Sequence, residues 1–287
     1  MNVPIHRSRW LLVLSAIMLL PLACEAQAPD LAAVWTALNK PAFDPSQVAA
    51  AENVELRRDV ATIVLGSGVL GLAQPIDGRV FAAAFKGRGR LHFAPSLPLE
   101  QQQLRFHSGQ APLEAEFTEA VFVFTDNTPD EFSRQAKFQS GDSKELQEIY
   151  WDRTQELQRY GLTWEPRLLR SLRSEAPSRR PLFVAELKTR EHGWLTLIVD
   201  DADPEQVELA QFDGGRRWLN IWSKFPKDGG RPQEAFADPV AHHDYRLERY
   251  TLAVTVPPSA ELEAEAQVEL VIRRAGDRVL LFALDPN

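Results

Sequence analysis

From residue 54 onward, short apolar runs separated by turn residues predict a chain built mainly from β-strands. Leu91 and Phe93, for example, alternate with polar neighbours, and we expect them on a strand that returns from a hairpin turn at residues 87–89. The strands predicted in this way cover residues 60–65, 78–85, 91–93, 120–124, 182–187, 194–199, 207–212 and 218–222.

Residues 144–174 have helical periodicity instead. We expect Ser143 to cap a first helix, Gly161 to end it and Pro166 to open a second one. The two helices predict a helical hairpin that packs on the sheet. The apolar residues spaced for one face of the first helix are Leu146, Ile149, Tyr150, Leu157 and Tyr160.

The end of the chain predicts a three-stranded meander over residues 245–256, 261–273 and 278–284. Alternate residues of all three strands are apolar, which predicts one continuous apolar face. An isolated meander folds only if that face is covered. We therefore expect either that the first domain covers it or that the chain stops inside a domain. The residues of this face are Leu252, Val254, Val256, Val268, Leu270, Ile272, Val279, Leu281 and Ala283.

The fold class predicted from these patterns is α+β: a mainly antiparallel β first domain with a helical hairpin, followed by the opening strands of a β-sandwich. Within residues 27–52 we expect a short helix over 31–38, broken by Pro41 and Pro45. The predicted organisation is a signal peptide over 1–26, a linker or docking segment over 27–52, an α+β domain over 53–225, a linker over 226–241 and a partial β-sandwich over 242–287.

The N-terminus has the pattern of an export signal. Arg7 and Arg9 precede an apolar stretch over residues 10–23, which is short for a transmembrane helix. We expect cleavage after Ala26, which would give a secreted protein without a lipid anchor. Lipidation of Cys24 is the alternative, although Pro21 stands where a lipobox usually has leucine. We expect an exported protein, periplasmic, outer-envelope or secreted, that meets membrane only through its signal or a lipid anchor.

Composition excludes several classes of protein. The 287 residues carry 40 acidic and 32 basic side chains, a formal charge of −8, which argues against nucleic acid as a partner. Cys24 is the single cysteine, so signal cleavage after Ala26 removes the means to form a disulfide, a thiolate zinc site or a cysteine nucleophile.

Three motifs resemble functional sites but lack the required context. Residues 66–71 match G-x-G-x-x-G, yet no helix is predicted to follow, so we interpret them as a glycine-rich turn. His242, His243 and Asp244 are adjacent, and strand neighbours point to opposite faces, which disfavours one shared metal. The aspartates of residues 200–203 lack the glycine and glutamate of a calcium loop. We therefore expect no catalytic, cofactor-binding or metal-binding residue, and no cofactor, in this chain.

Trp194, Trp218 and Trp222 are the candidate binding residues. Together with Phe212 they either line one aromatic sheet face for a glycan or a protein, or fill the core of the sheet.

Residues 242–287 resemble the opening strands of the N-terminal β-sandwich of gluzincin aminopeptidases, the membrane alanyl aminopeptidase family. The resemblance rests on Tyr245 in its strand, on residues 261–266 and on the closing run 276–282, with Ala264 in place of the family's glycine. Residues 54–222 are similar to an N-terminal extension of large exported bacterial proteins with such a region, on residues 60–62, 78–80 and 93–95.

This resemblance implies exported peptidase architecture. The family's H-E-x-x-H motif is absent from this chain, so no catalytic residue is carried over and peptidase activity requires a downstream catalytic domain. The expected function is a non-catalytic N-terminal portion of a metallopeptidase-like protein, with a structural role or one in positioning a substrate or partner. The alternative is a freestanding envelope binding protein or lipoprotein.

Overall fold

The computed structural model describes residues 31–174, 180–213, 218–227, 245–255 and 263–273. The helices of these residues are α1 (Leu31–Asn39), α2 (Pro98–Ser108), α3 (Thr128–Gln135), α4 (Lys144–Gln158) and α5 (Glu165–Arg173). The strands are β1 (Phe43–Arg58), β2 (Ala61–Ala73), β3 (Ala82–Phe93), β4 (Leu113–Phe124), β5 (Leu182–Thr189), β6 (Gly193–Asp200), β7 (Val207–Asp213), β8 (Trp218–Phe225), β9 (Tyr245–Thr255) and β10 (Glu263–Ile272).

Strands β1 to β8 form one antiparallel sheet in which every strand pairs with the next along the chain. Strands β9 and β10 form a separate two-stranded antiparallel sheet. The α+β class with a mainly antiparallel sheet is therefore confirmed. The predicted linker over 226–241 and His242 to Asp244 lie almost wholly outside the described residues.

The inner face of the large sheet is filled by its own side chains. Alternate residues of all eight strands join one buried apolar cluster, to which α2 adds Leu104 and α3 adds Phe132. The rings of Phe93 on β3 and Phe225 on β8 lie 6.2 Å apart, although four strands lie between them in the sheet order. The sheet must therefore curve strongly to bring its far strand over its middle.

The outer face is only partly covered. Leu38 of α1, Tyr150 of α4 and Leu168 of α5 belong to a second buried cluster with small and branched residues of the sheet, such as Ala84 and Val121. These three helices cover the ends of β3 and β4 where those residues lie. The opposite ends of the same strands carry charged residues on this face and remain exposed.

Backbone irregularities on four neighbouring strands lie side by side. Asn53 on β1 has a left-handed φ of 54° and lies opposite Gly66, the extra residue of a bulge in β2. On β3, Gly87 and Arg88 together oppose Thr118 of β4, which is itself the extra residue against β5. We call these residues the bulge line. Bulges bend a strand and increase its twist, which accounts for the curvature.

Glycine is required where the backbones meet along this line. A Cβ on Gly68 would lie 2.2 Å from the carbonyl oxygen of Lys86, and a Cβ on Gly87 would lie 2.2 Å from that of Ser67. Gly87 and Gly89 lie within β3. The hairpin turn predicted at residues 87–89 is therefore wrong. The interpretation of residues 66–71 as a turn is also wrong, because they lie inside β2 and serve close strand contact instead.

The linker predicted over 27–52 is corrected in the same way. Helix α1 is confirmed, but β1 begins at Phe43 and continues through Pro45, so the sheet includes residues 43–52. Pro45 is tolerated because β1 is an edge strand whose register shifts between Phe43 and Val48.

The predicted helix boundaries near residues 144 and 165 are confirmed. Gly161 has a φ of 77° between the two helices, as expected for a glycine after a helix end. Ser143 precedes α4 without a side-chain capping bond; the Asp142 carboxylate accepts from the amide of Lys144 instead. The sequence interpretation missed α2 and α3, which are short and mostly polar.

Asn53 offers a direct test of the bulge line. Its side chain is exposed, so Asn53→Ala and Asn53→Gly remove the same amide and differ mainly in backbone preference. We expect the alanine variant to be less stable than the glycine variant by about 1 kcal/mol, because a Cβ disfavours the left-handed region. Urea unfolding measures this difference, and equal stabilities would contradict the left-handed assignment.

Candidate functional site

The structure separates the tryptophans of the predicted aromatic face. Trp222 is 2% exposed within the inner cluster, while Trp194 precedes the inward-facing Leu195 on β6 and therefore lies on the outer face. Trp218 begins β8, and its side chain is outside the described part of the chain. Trp194 and Trp222 are therefore not brought together on one face.

Trp222 lies between two histidines. The ring of His107 from α2 stacks parallel to it at 6.0 Å, and the ring of His192 meets it edge-on at 5.1 Å. The indole Nε1 of Trp222 and Nε2 of His192 are buried without a hydrogen-bond partner among the described residues. Trp222 therefore belongs to the inner core rather than to an open aromatic face.

Trp194 covers a buried ion pair under α4. The Arg153 guanidinium donates through Nε and Nη2 to one carboxylate oxygen of Glu186, at 3.0 and 2.6 Å, and Thr196 donates to the same oxygen. The rings of Trp194 and Phe212 lie 4.6 and 4.9 Å from the guanidinium carbon. Burial raises the pKa of Glu186, and the contacts with Arg153 oppose that rise.

The bulge line borders a charged groove on the outer face of the sheet, beyond the helices. A cavity of about 260 Å³ is lined by Asn53, Gly66, Arg88, Gly89 and Thr118, together with Val64, Arg90, Glu116, Phe117 and Arg190. It shares Arg90, Glu116 and Arg190 with a second cavity of about 350 Å³. The second cavity is completed by Glu114, Ala115, Thr189, Glu191 and His192.

The arginines of this groove have few partners. Arg88 donates to the hydroxyl of Ser67 at 3.4 Å, at the long limit of a hydrogen bond. The side chains of Arg90 and Arg190 make no hydrogen bond or ion pair with any residue that the structure describes. The turn that carries Arg190 is held beside β4 because its amide donates to the Glu116 carbonyl at 3.2 Å.

Guanidinium groups without partners in a cavity suit the binding of an oxyanion, because their planar N–H pairs match carboxylate and phosphate oxygens. The sequence interpretation missed this groove. The alternation of Arg88, Arg90 and His92 along one strand was its only local signal, and Arg190 joins them only through the fold.

The β9–β10 sheet presents a second feature of functional interest. A bulge leaves Glu248 unpaired between Leu247 and Arg249, so Tyr245 and Leu247 share a face with Tyr250, Leu252 and Val254. The paired residues of β10 continue this apolar face with Ala266, Val268, Leu270 and Ile272. The opposite face carries mainly charged and polar residues.

This apolar face is open. Tyr250 is 56% exposed, Leu252 52% and Val254 50%, and every described side chain of β9 is exposed. The alternation predicted for Leu252, Val254, Val268, Leu270 and Ile272 is thus found in the described strands. Val256, Val279, Leu281 and Ala283 lie outside the described residues.

The other residues considered as possible sites either form ion pairs within the fold or lie outside the described residues. The aspartates of residues 200–203 pair with cations: Asp200 with Arg167, Asp201 with Lys227 and Asp203 with Lys224. In the described ranges, no group of three or more His, Cys, Asp or Glu side chains is placed to hold a metal ion. Cys24 and His242 to Asp244 fall outside those ranges.

Comparison with protein-family models found no match, and comparisons with curated proteins and with solved structures found none that is significant. Among the helices that the structure describes, none combines the length and apolar character needed to cross a membrane. The groove and the apolar face are therefore the features of the described residues that bear most directly on function.

The buried ion pair predicts a pH-dependent loss of stability. Arg153→Met should lower the free energy of unfolding by about 3–5 kcal/mol at pH 8, because it leaves the Glu186 charge buried and uncompensated. The pKa of Glu186 then rises further above its unfolded value. A carboxyl whose pKa is raised in the folded state contributes stability that is complete below its unfolded pKa and disappears as the pH rises through its folded pKa. The destabilisation of the variant relative to wild type should therefore be smaller at pH 5 than at pH 8.

Denaturant unfolding of wild type and variant at both pH values measures this effect. The double variant Arg153→Met with Glu186→Gln is the control, and we expect it to recover part of the loss and to remove its pH dependence. A loss that is equal at pH 5 and pH 8 in the single variant would contradict a buried carboxylate as its cause.

The open face of β9 and β10 predicts self-association of the purified chain. Leu252→Lys places a charge on the apolar face, whereas Thr251→Lys places the same charge on the opposite face of β9. Sedimentation velocity over a range of concentrations should show association in wild type and Thr251→Lys that is weakened in Leu252→Lys. Association that both variants reduce equally would contradict a role for this face.

Proposed function

We propose that this chain is the non-catalytic N-terminal portion of an exported metallopeptidase-like protein, with a structural role or one in positioning a substrate or partner. The single observation that supports it most is the amphipathic β9–β10 sheet. It lies in the part of the chain that resembles the opening strands of the gluzincin aminopeptidase sandwich, and one of its faces is apolar and open.

Two strands alone do not make a stable sheet. An isolated two-stranded sheet is marginally stable in water, and it needs further strands or a covering layer. In a sandwich, the apolar faces of two sheets pack about 10 Å apart. We accordingly propose that a second sheet, from a C-terminal region of the same protein, covers the open face. That C-terminal region would also contain the catalytic domain.

The export part of the proposal rests on Arg7, Arg9 and the apolar stretch that follows them. The non-catalytic part rests on the absence of an H-E-x-x-H motif from the sequence. Peptide hydrolysis by the whole protein would then depend on a zinc helix supplied by the C-terminal region.

One observation favours the alternative, a freestanding envelope binding protein or lipoprotein. The charged groove offers unpaired guanidinium groups in a defined cavity, and no other part of the protein is needed to form it. The tryptophans supply less support, because Trp194 and Trp222 lie on opposite faces of the sheet. A glycan or protein ligand on one aromatic face would need a different set of residues.

The native mature protein distinguishes these functions. An antibody raised against the purified chain would capture it from cells that express the natural gene, for N-terminal sequencing and intact mass. We expect an N-terminus at Gln27 or a blocked Cys24, a mass well above the 32.3 kDa of this chain, and aminopeptidase activity that a zinc chelator abolishes.

A captured protein at or below 32.3 kDa would contradict the proposal and favour the freestanding binding protein. An N-terminus at Met1 would contradict export. A larger protein whose activity withstands chelation and remains after full removal of zinc would contradict the metallopeptidase part alone.

A further inference from the structure

We infer that the cavity on the bulge line, lined by Arg88, Arg90 and Arg190, is a binding site for a small, doubly charged oxyanion. The inference goes beyond the proposed function, because it concerns the eight-stranded sheet alone and holds with or without a downstream catalytic domain. It rests on how the cavity is built, on its charge and on the state of its arginines.

The cavity is built from the irregular backbone of four strands. The left-handed Asn53, the bulged Gly66, Arg88 of the β3 bulge and Thr118 of the β4 bulge all line it. Bulges redirect side chains and are frequent beside functional sites, and strained residues persist only where the surrounding structure holds them. Since these residues belong to four paired strands of one sheet, the site has a rigid frame.

The charge of the cavity selects the ligand. Three arginines and one acidic residue, Glu116, line the cavity, which gives the lining a net charge of +2. A phosphate monoester or a dicarboxylate balances this charge, whereas a single carboxylate leaves part of it uncompensated. The volume of about 260 Å³ has room for such a group and for a small part of the molecule that carries it.

The state of the arginines supports binding over a structural role. Other arginines on or beside this sheet have carboxylate partners: Arg58 of β1 pairs with Asp126 and Glu131, and Arg167 of α5 pairs with Asp200. Arg90 and Arg190 line a cavity with Glu116 and yet form no ion pair within the described residues. Their donors are therefore available to a ligand, and binding would neutralise the mutual repulsion of the three cations.

Isothermal titration calorimetry on the purified chain at low ionic strength tests the inference with inorganic phosphate, succinate and nitrate as probes. We expect phosphate or succinate, or both, to bind and nitrate to bind at least tenfold more weakly. The stronger of the two dianions identifies the source of the oxyanion. Added salt should weaken binding, since the cavity is open to solvent.

Variants locate the site. Arg90→Gln and Arg190→Gln should each weaken binding of the dianion roughly tenfold, in line with loss of a charge-assisted hydrogen bond. Arg134→Gln removes an exposed arginine of α3 that lines neither cavity, and it should leave the affinity unchanged. Glu116→Gln should tighten binding, because it removes the one negative charge of the cavity. Thermal unfolding confirms that each variant is folded.

Three results would overturn the inference. The first is that neither dianion binds the folded wild-type chain. The second is that Arg134→Gln weakens binding as much as Arg90→Gln, which would indicate general attraction to positive charge. The third is that Glu116→Gln leaves the affinity unchanged while both arginine variants also bind normally, which would place any binding elsewhere.

Discussion

The close approach of β2 and β3 along the bulge line is the constraint on which the rest of the sheet depends. Gly68 and Gly87 lie so near the facing backbone that any side chain there would collide with a carbonyl oxygen. This approach, with the bulges in β2, β3 and β4, gives the sheet the curvature that places Phe225 over Phe93. Without that curvature, the inner face would be exposed to water instead of forming one buried cluster.

The bulge line also shapes the outer face of the sheet. On that face, charged residues that a helix covers are paired, whereas those beyond the helices are solvated. Under α4, Arg153 and Glu186 are each 1% exposed, so they must pair, and aromatic rings enclose the cation. Beyond the helices, Arg90 and Arg190 remain solvated and unpaired in the described structure. A buried pair contributes to a unique packing of α4 on the sheet, whereas solvated cations in a cavity are available for binding.

Elements whose apolar periodicity and boundary residues lie within the element itself could be predicted from the sequence. Strands β5 to β8 and helices α4 and α5 follow from apolar periodicity and from Gly161 and Pro166 at their boundaries. The turn predicted at residues 87–89 failed because glycine serves both turns and close strand contacts. Pro45 misled the prediction because proline breaks interior strands but is tolerated at an edge. The groove could not be predicted, since Arg190 and Arg90 line the same cavity only through the pairing of β3, β4 and β5.

The β9–β10 sheet shows how a local bulge can extend an apolar surface. Strict alternation from Leu252 back along β9 would place Arg246 and Glu248 on the apolar face, and Tyr245 and Leu247 on the polar one. The bulge at Glu248 reverses this phase, so the apolar face continues to the beginning of the strand. The carboxylate of Glu248 pairs with Arg246. Such a face, extended along most of the two described strands, suits packing against a second sheet better than binding a small ligand, and this is the basis of the sandwich in our proposal.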